Sequence, residues 1–108
     1  MADTKTLALD AYIVETLLPD LTGHDRQPSA FLVYLYLWSR THGARRARVQ
    51  VSLVDLAEAT GLSKRAVQDA LGALVRRKLV SLTRESITAV PVYTVHRPWA
   101  RGTPASGR

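Results

Sequence analysis

The spacing of apolar residues along the chain predicts where its helices and strands lie. From Thr4 to Leu18, apolar positions recur at intervals of four, three and four, which is typical of one face of a helix: Leu7, Ala11, Val14 and Leu18. Pro19 and Gly23 are expected to end this helix. A polar loop is then predicted from Asp20 to Gln27.

An almost continuous apolar run lies between Ala30 and Trp38. Its periodicity does not distinguish a helix from a strand, and its aromatic residues favour a strand. Pro28 at the start of the run and a stop at Gly43 favour a helix. We therefore predict a buried helix in this part of the chain.

Short strands are predicted where apolar and polar residues alternate. Between Arg45 and Ser52, valines point to one side and arginine and glutamine to the other, so this segment is expected to be a half-buried strand. Two further alternating segments are Leu79–Thr83 and Val90–Val95. The residues Arg84–Thr88 between them are expected to form a turn.

Two helices joined by a tight turn are predicted between the first strand and the last two strands. Ser52 suits the N-cap of the first helix, with Asp55 as its acidic capping partner. Gly61 suits a turn that requires a positive φ, and Ser63 caps a second helix that runs to about Lys78.

The buried side of the first helix is predicted to be Leu53, Leu56 and Ala57. The predicted inner face of the second helix is Val67, Ala70, Leu71, Leu74 and Val75. Its predicted outer face is Arg65, Gln68, Asp69, Gly72 and Arg76.

Length and composition narrow the functional classes. The chain has 108 residues, the size of one domain, and it has no cysteine, which excludes disulfides, cysteine-ligated zinc and thiol catalysis. Its longest apolar run is too short to cross a bilayer, and its first residues do not resemble a signal peptide, so we expect a cytoplasmic protein. The three histidines, His24, His42 and His96, lack ligand spacing and a catalytic partner. We therefore expect no catalytic residue, no metal and no cofactor, and hence no enzyme.

The distribution of charge suggests an anionic partner. The net charge is +6, but residues 1–39 carry two bases and five acids, a net of −3. Residues 40–108 carry thirteen bases and four acids, a net of +9. Nucleic acid is the commonest partner of such a basic segment, and a solubilising surface without a partner is the alternative.

The two helices and their turn carry a recognisable pattern. Residues 53–67 follow the order L-x-x-L-A-x-x-T-G-L-S-x-x-x-V, and Leu71, Leu74 and the segment Lys78–Val80 follow. This pattern resembles the helix-turn-helix of winged-helix bacterial and phage transcriptional regulators. The resemblance covers roughly Pro28 to Pro98. One departure is Lys78, which stands where family members often have glycine before the second strand.

The resemblance implies an α+β winged helix-turn-helix domain over residues 28–98, with a three-helix core and a small antiparallel sheet. Residues 1–27 would add an N-terminal helix and loop, and we expect the apolar stripe of this helix either to mediate a homodimer or to pack on its own core. Residues 99–108 would form a flexible basic tail. The implied function is sequence-specific binding of double-stranded DNA by a nucleoid-associated transcriptional regulator.

The resemblance also implies which residues meet DNA. The second helix would enter the major groove with Ser63, Lys64, Arg65, Gln68, Asp69 and Gly72. Gly72 would either allow the backbone to approach DNA or be a tolerated surface glycine. Arg84 at the tip between the last two strands would contact the minor groove or the backbone. Arg45, Arg46 and Arg48 would contact phosphate, or form a solvated turn.

Two alternative functions fit the same fold. The chain could be the DNA-binding domain of a replication-initiation or plasmid-maintenance protein, since these proteins share the fold. It could also be a winged-helix module that binds only protein.

Overall fold

The computed structural model describes residues 5–100. Two π-helical segments, Ile13–Leu17 and Asp20–His24, precede the first α-helix. The remaining elements are α1 (Pro28–Arg40), a 3₁₀ turn (His42–Ala44), β1 (Arg48–Gln50), α2 (Leu53–Thr60), α3 (Lys64–Arg76), β2 (Val80–Thr83) and β3 (Val92–Val95). The predicted α+β class is confirmed.

The three strands form one antiparallel sheet in the order β1-β3-β2. Gln50 pairs with Val92, which pairs with Thr83 on its other side. These three side chains therefore share the outer face of the sheet, since directly opposed residues lie on the same face. The opposite face, with Tyr93 at its centre, covers the core.

The core draws on residues from all the helices and strands and lies between α1, α3 and the sheet. Six of the thirteen residues of α1 are buried in this core, so the prediction of a buried helix rather than a strand is confirmed. The fully buried large side chains include Ile13, Leu21, Tyr34, Leu37, Leu56, Leu74, Val33, Val67 and Val80.

The predicted caps and turn between α2 and α3 are confirmed. The Ser52 hydroxyl accepts a hydrogen bond from the Asp55 backbone N–H at 3.1 Å, and the Ser63 hydroxyl accepts one from the Ala66 N–H at 3.0 Å. Gly61 has a φ of 78°, the left-handed conformation that a glycine adopts at little cost. These local interactions fix the start of α3.

The inner face of α3 differs from the prediction at two positions. Val75 was expected to be buried but is 43% exposed, whereas Ala73 is buried. The buried arc is therefore rotated around the helix axis toward Ala70 and Ala73. The reason is that α1 packs against α3, and alanine side chains allow a neighbouring helix to approach closely.

The N-terminal segment also differs from the prediction. The backbone is helical from residue 11 to residue 24, so the helix neither begins near Thr4 nor ends at Pro19, and the predicted loop from Asp20 is helical. Pro19 is tolerated because its φ of −67° is helical and it lies between the two π-helical segments. Residues 5–10 are not helical and instead make long-range contacts, such as the 2.9 Å hydrogen bond from the Trp38 indole N–H to the Ala8 carbonyl.

The predicted apolar stripe is not the face that packs on the core. Leu7, Ala11 and Val14 are exposed, and Leu18 is half-buried. The buried residues are Ile13, Leu17 and Leu21. A π-helical turn is wider than an α-helical one, so residues spaced four apart share a face here in place of the alternating three and four of an α-helix.

The end of α3 explains the departure at Lys78. The Lys78 N–H donates to the Val75 carbonyl and the Leu79 N–H donates to the Leu74 carbonyl, both at 3.0 Å. These two bonds form a Schellman motif, in which the residue directly after the C-cap is normally glycine because it takes a left-handed conformation. Lys78 has a φ of 62°, so a lysine occupies the glycine position.

Candidate nucleic-acid interface

The first turns of α3 present polar and basic side chains to solvent. Ser63, Lys64, Arg65, Gln68 and Asp69 are all exposed. Arg65 Nε lies 3.8 Å from Asp69 Oδ2, and their side chains are 85% and 61% exposed. Such an exposed pair is weak, so the Arg65 guanidinium remains free to exchange this carboxylate for another anion.

A surface groove of 460 Å³ separates α3 from the β2–β3 hairpin, and we call it the α3–hairpin groove. It brings together three residues that the sequence proposed for DNA contact, Gln68, Gly72 and Arg84. Its other lining residues are Leu53, Leu71, Val75, Leu82, Pro91 and Tyr93. The groove thus connects the outer side of α3 with the loop between the last two strands.

The packing of the chain does not require a glycine at position 72. A Cβ atom added there would meet only Arg76 Nη1, at 3.4 Å, and this is the end of a flexible side chain. Alanine would therefore fit at position 72 and would favour the helix.

The β2–β3 loop exposes both a basic and an apolar side chain. Arg84 donates a hydrogen bond from Nη1 to the Ile87 carbonyl at 3.1 Å, and Glu85 beside it is exposed. Ile87 is 88% exposed. Ile87 was not among the predicted site residues. Turns are normally polar, so an isoleucine inside a predicted turn already indicated an exposed apolar side chain.

Arg45, Arg46 and Arg48, which the sequence proposed as one basic cluster, do not lie together on one surface. Arg46 and Arg48 line a second surface groove, together with Arg40, which was not proposed from the sequence. Arg45 is exposed with a φ of 61° and does not line this groove. The chain turns at residues 42–44, so the end of α1 with Arg40 lies beside β1. Sequence spacing alone could not reveal this proximity.

Arg77 is held in place just beyond the last turn of α3. It donates two hydrogen bonds to Asp25, from Nε to Oδ2 at 2.9 Å and from Nη2 to Oδ1 at 3.0 Å. Hydrogen bonding to Arg77 lowers the pKa of Asp25, despite the opposing effect of desolvation. Arg77 is therefore engaged within the chain and is not available to an external anion.

A second network joins the N-terminal segment to the end of β3. Asp10 Oδ2 accepts hydrogen bonds from Arg97 Nη2 at 2.7 Å and from Trp99 Nε1 at 2.9 Å. Burial raises the pKa of Asp10, but the hydrogen bonds from Trp99 and Arg97 outweigh it, so the net shift is downward. The Trp99 ring stacks on Tyr12 with centroids 4.6 Å apart. Residues 101–108 of the predicted tail lie outside the described residues.

Within residues 5–100, no group of three or more His, Asp and Glu side chains is placed to hold a metal ion. No helix in this same range is long and apolar enough to span a bilayer. Comparisons of the chain with protein-family models, with curated proteins and with solved structures gave no significant match.

Proposed function

We propose that the chain is a winged helix-turn-helix domain that binds double-stranded DNA in a sequence-specific manner, as a transcriptional regulator does. The observation that carries the proposal is the α3–hairpin groove. It places Gln68 and Gly72 of α3 opposite Arg84 of the β2–β3 loop, next to a helix start that exposes Lys64 and Arg65. An α-helix fits the major groove, and a loop beside it can reach the neighbouring backbone or minor groove.

The exposed polar side chains in the first turns of α3 have suitable chemical partners in DNA. Arg65 can donate two hydrogen bonds to guanine, and Gln68 can pair with adenine through its amide. Lys64 and the Ser63 hydroxyl suit phosphate oxygens at the helix start. Asp69 can accept from cytosine N4, although its charge repels phosphate. Arg84 would hold the backbone or minor groove beside the loop.

The dependence of affinity on salt tests DNA binding directly. Six phosphate contacts would give a slope of log affinity against log salt of about −5 on a random duplex. Lys64→Gln should reduce the magnitude of this slope by about 0.9, since it removes one phosphate contact. A flat salt response, or no binding at low salt, would contradict DNA binding.

Selection of duplexes from a random pool tests sequence specificity. A consensus is expected, and its symmetry would report whether two copies bind together. On the selected sequence, Arg65→Ala should cost about 1–3 kcal/mol and relax the preference at one base pair. An equal loss on all sequences would show that Arg65 contacts phosphate alone.

One observation favours a protein partner as a second candidate function. The α3–hairpin groove is lined mostly by apolar side chains, and Val75 and Leu82 in it are exposed. A groove of this kind can accept an apolar side chain of another protein. Absence of duplex binding at low salt would favour this candidate over the first.

A further inference from the structure

A separate basic surface lies at the β1 edge of the sheet. Arg40 at the end of α1, Arg46 in the loop before β1 and Arg48 in β1 line one groove of 420 Å³. Its other lining residues are Ala44, Val49 and Gln50. We call it the β1-edge groove.

The arginines of the β1-edge groove lack an acidic partner. Among residues 5–100, the ion pairs formed by arginine involve Arg65, Arg77 and Arg97, and none involves an arginine of this groove. The sequence itself holds no acidic residue between Asp25 and Asp55. Three like charges around one concave surface repel each other, so an anion bound between them would be favoured electrostatically.

The β1-edge groove continues along the outer face of the sheet toward the β2–β3 loop. An adjoining surface groove is lined by Arg48 and Gln50 on one side and by Thr83 and Arg84 on the other, across the middle strand. Arg84 also lines the α3–hairpin groove, and Arg48 also lines the β1-edge groove. The three grooves are therefore linked through shared arginines. Among the described residues that line them, Glu85 is the one acidic side chain.

We infer that the β1-edge groove binds backbone phosphates of the duplex that α3 contacts. The duplex then runs from α3 across the β2–β3 loop to Arg48, Arg46 and Arg40. Guanidinium groups suit this role because their planar fork donates two hydrogen bonds to a phosphate. Such contacts fix the orientation of the protein on the duplex and carry no base preference. The inference rests on the proposed function and adds a second contact surface to it.

The test compares two double variants that each remove two positive charges. Arg46→Gln/Arg48→Gln changes the β1-edge groove, and Lys5→Gln/Arg26→Asn is the matched control at exposed positions outside the three grooves. Asparagine is chosen at position 26 because Arg26 has a φ of 56°, which asparagine tolerates. The probe is a random duplex of about 30 base pairs, three helical turns.

On this duplex, the groove variant should reduce the magnitude of the salt slope by about 1.8, and the control should leave it unchanged. Adding Arg40→Gln should reduce it by about a further 0.9.

Three results would overturn the inference, and they are distinguishable. If the groove variant keeps the full slope while Lys64→Gln reduces it, the inference fails and the proposed function stands. If the unmodified protein shows no salt-dependent duplex binding, both fail. If the groove variant aggregates with an unchanged slope, the arginines protect an exposed edge strand and do not bind phosphate.

Discussion

Arg77 and Asp25 form a two-point hydrogen bond between groups 52 residues apart in the chain. It joins the end of α3 to the residue that follows the second π-helical segment. A further carboxylate, Asp20, lies 3.7 Å from Arg77 Nη1. The N-terminal segment thus helps to fix the axis of the helix that we propose to enter DNA.

Replacing Asp25 by asparagine should destabilise the fold in a pH-dependent way. The change should lower the free energy of unfolding by about 1 kcal/mol at neutral pH, since both groups are partly exposed and solvent screens the pair. The pKa of Asp25 is lowered in the folded state. The contribution of ionised Asp25 to the free energy of unfolding is therefore complete above the ordinary carboxyl pKa of about 4, and it is lost as the pH falls below that value.

Urea unfolding measured from acidic to neutral pH checks this expectation. The difference between the unmodified protein and Asp25→Asn should shrink as the pH falls below about 4. Asp20→Asn is the control, because its longer contact to Arg77 should give a smaller effect. A difference that stays constant with pH would contradict an electrostatic origin.

Replacing Lys78 by glycine should stabilise the fold by about 1 kcal/mol. Lys78 takes a left-handed conformation in which its Cβ is strained, and glycine has no Cβ. Chemical unfolding of Lys78→Gly and Lys78→Ala separates this effect from the loss of charge, because alanine removes the charge but keeps the strain. Equal stability of the two variants would show that the backbone conformation is not the cause.

The region from Ser52 to Thr83 could be predicted from the sequence because its signals are local. The caps at Ser52 and Ser63 and the positive φ at Gly61 each depend on neighbours a few residues away. The exposure of Arg65, Gln68 and Asp69 followed from them by helical periodicity, whereas the burial of Ala73 in place of Val75 did not.

The N-terminal segment could not be predicted in the same way, because long-range contacts determine it. The Ala8 carbonyl accepts a hydrogen bond from Trp38, and the Asp10 carboxylate accepts hydrogen bonds from Arg97 and Trp99. The chain there is therefore not helical, although its apolar spacing suggested a helix. The sequence identified Arg46 and Arg48 as possible phosphate contacts but not Arg40, which joins them in the β1-edge groove only in the folded chain.

Replacing Gly72 by alanine should raise stability and weaken DNA binding. Stability should rise by about 1 kcal/mol because alanine favours the helix and has room at this position. Binding should weaken because the added methyl group lines the α3–hairpin groove, where the backbone would approach DNA. Unfolding and duplex binding are measured on the same variant. Unchanged affinity with raised stability would identify Gly72 as a tolerated surface glycine.

Replacing Asp69 by asparagine should strengthen binding to a random duplex. The change removes a negative charge that faces phosphate and releases Arg65, whose Nε is 3.8 Å from Asp69 Oδ2. One unit charge near a phosphate in water corresponds to about 1 kcal/mol, which is roughly a fivefold change in affinity. Stability should fall by less than about 0.5 kcal/mol, because exposed pairs four residues apart on a helix contribute little.

Glu58→Gln is the matched control for Asp69→Asn, since it removes one exposed negative charge from α2 instead of α3. If both variants bind a random duplex equally tightly, the gain comes from net charge and not from the position of Asp69. If only Asp69→Asn binds more tightly, and combining it with Arg65→Ala removes the gain, the released arginine is the cause. That result would place the outer side of α3 against the phosphate backbone, because charge acts over a short range in salt.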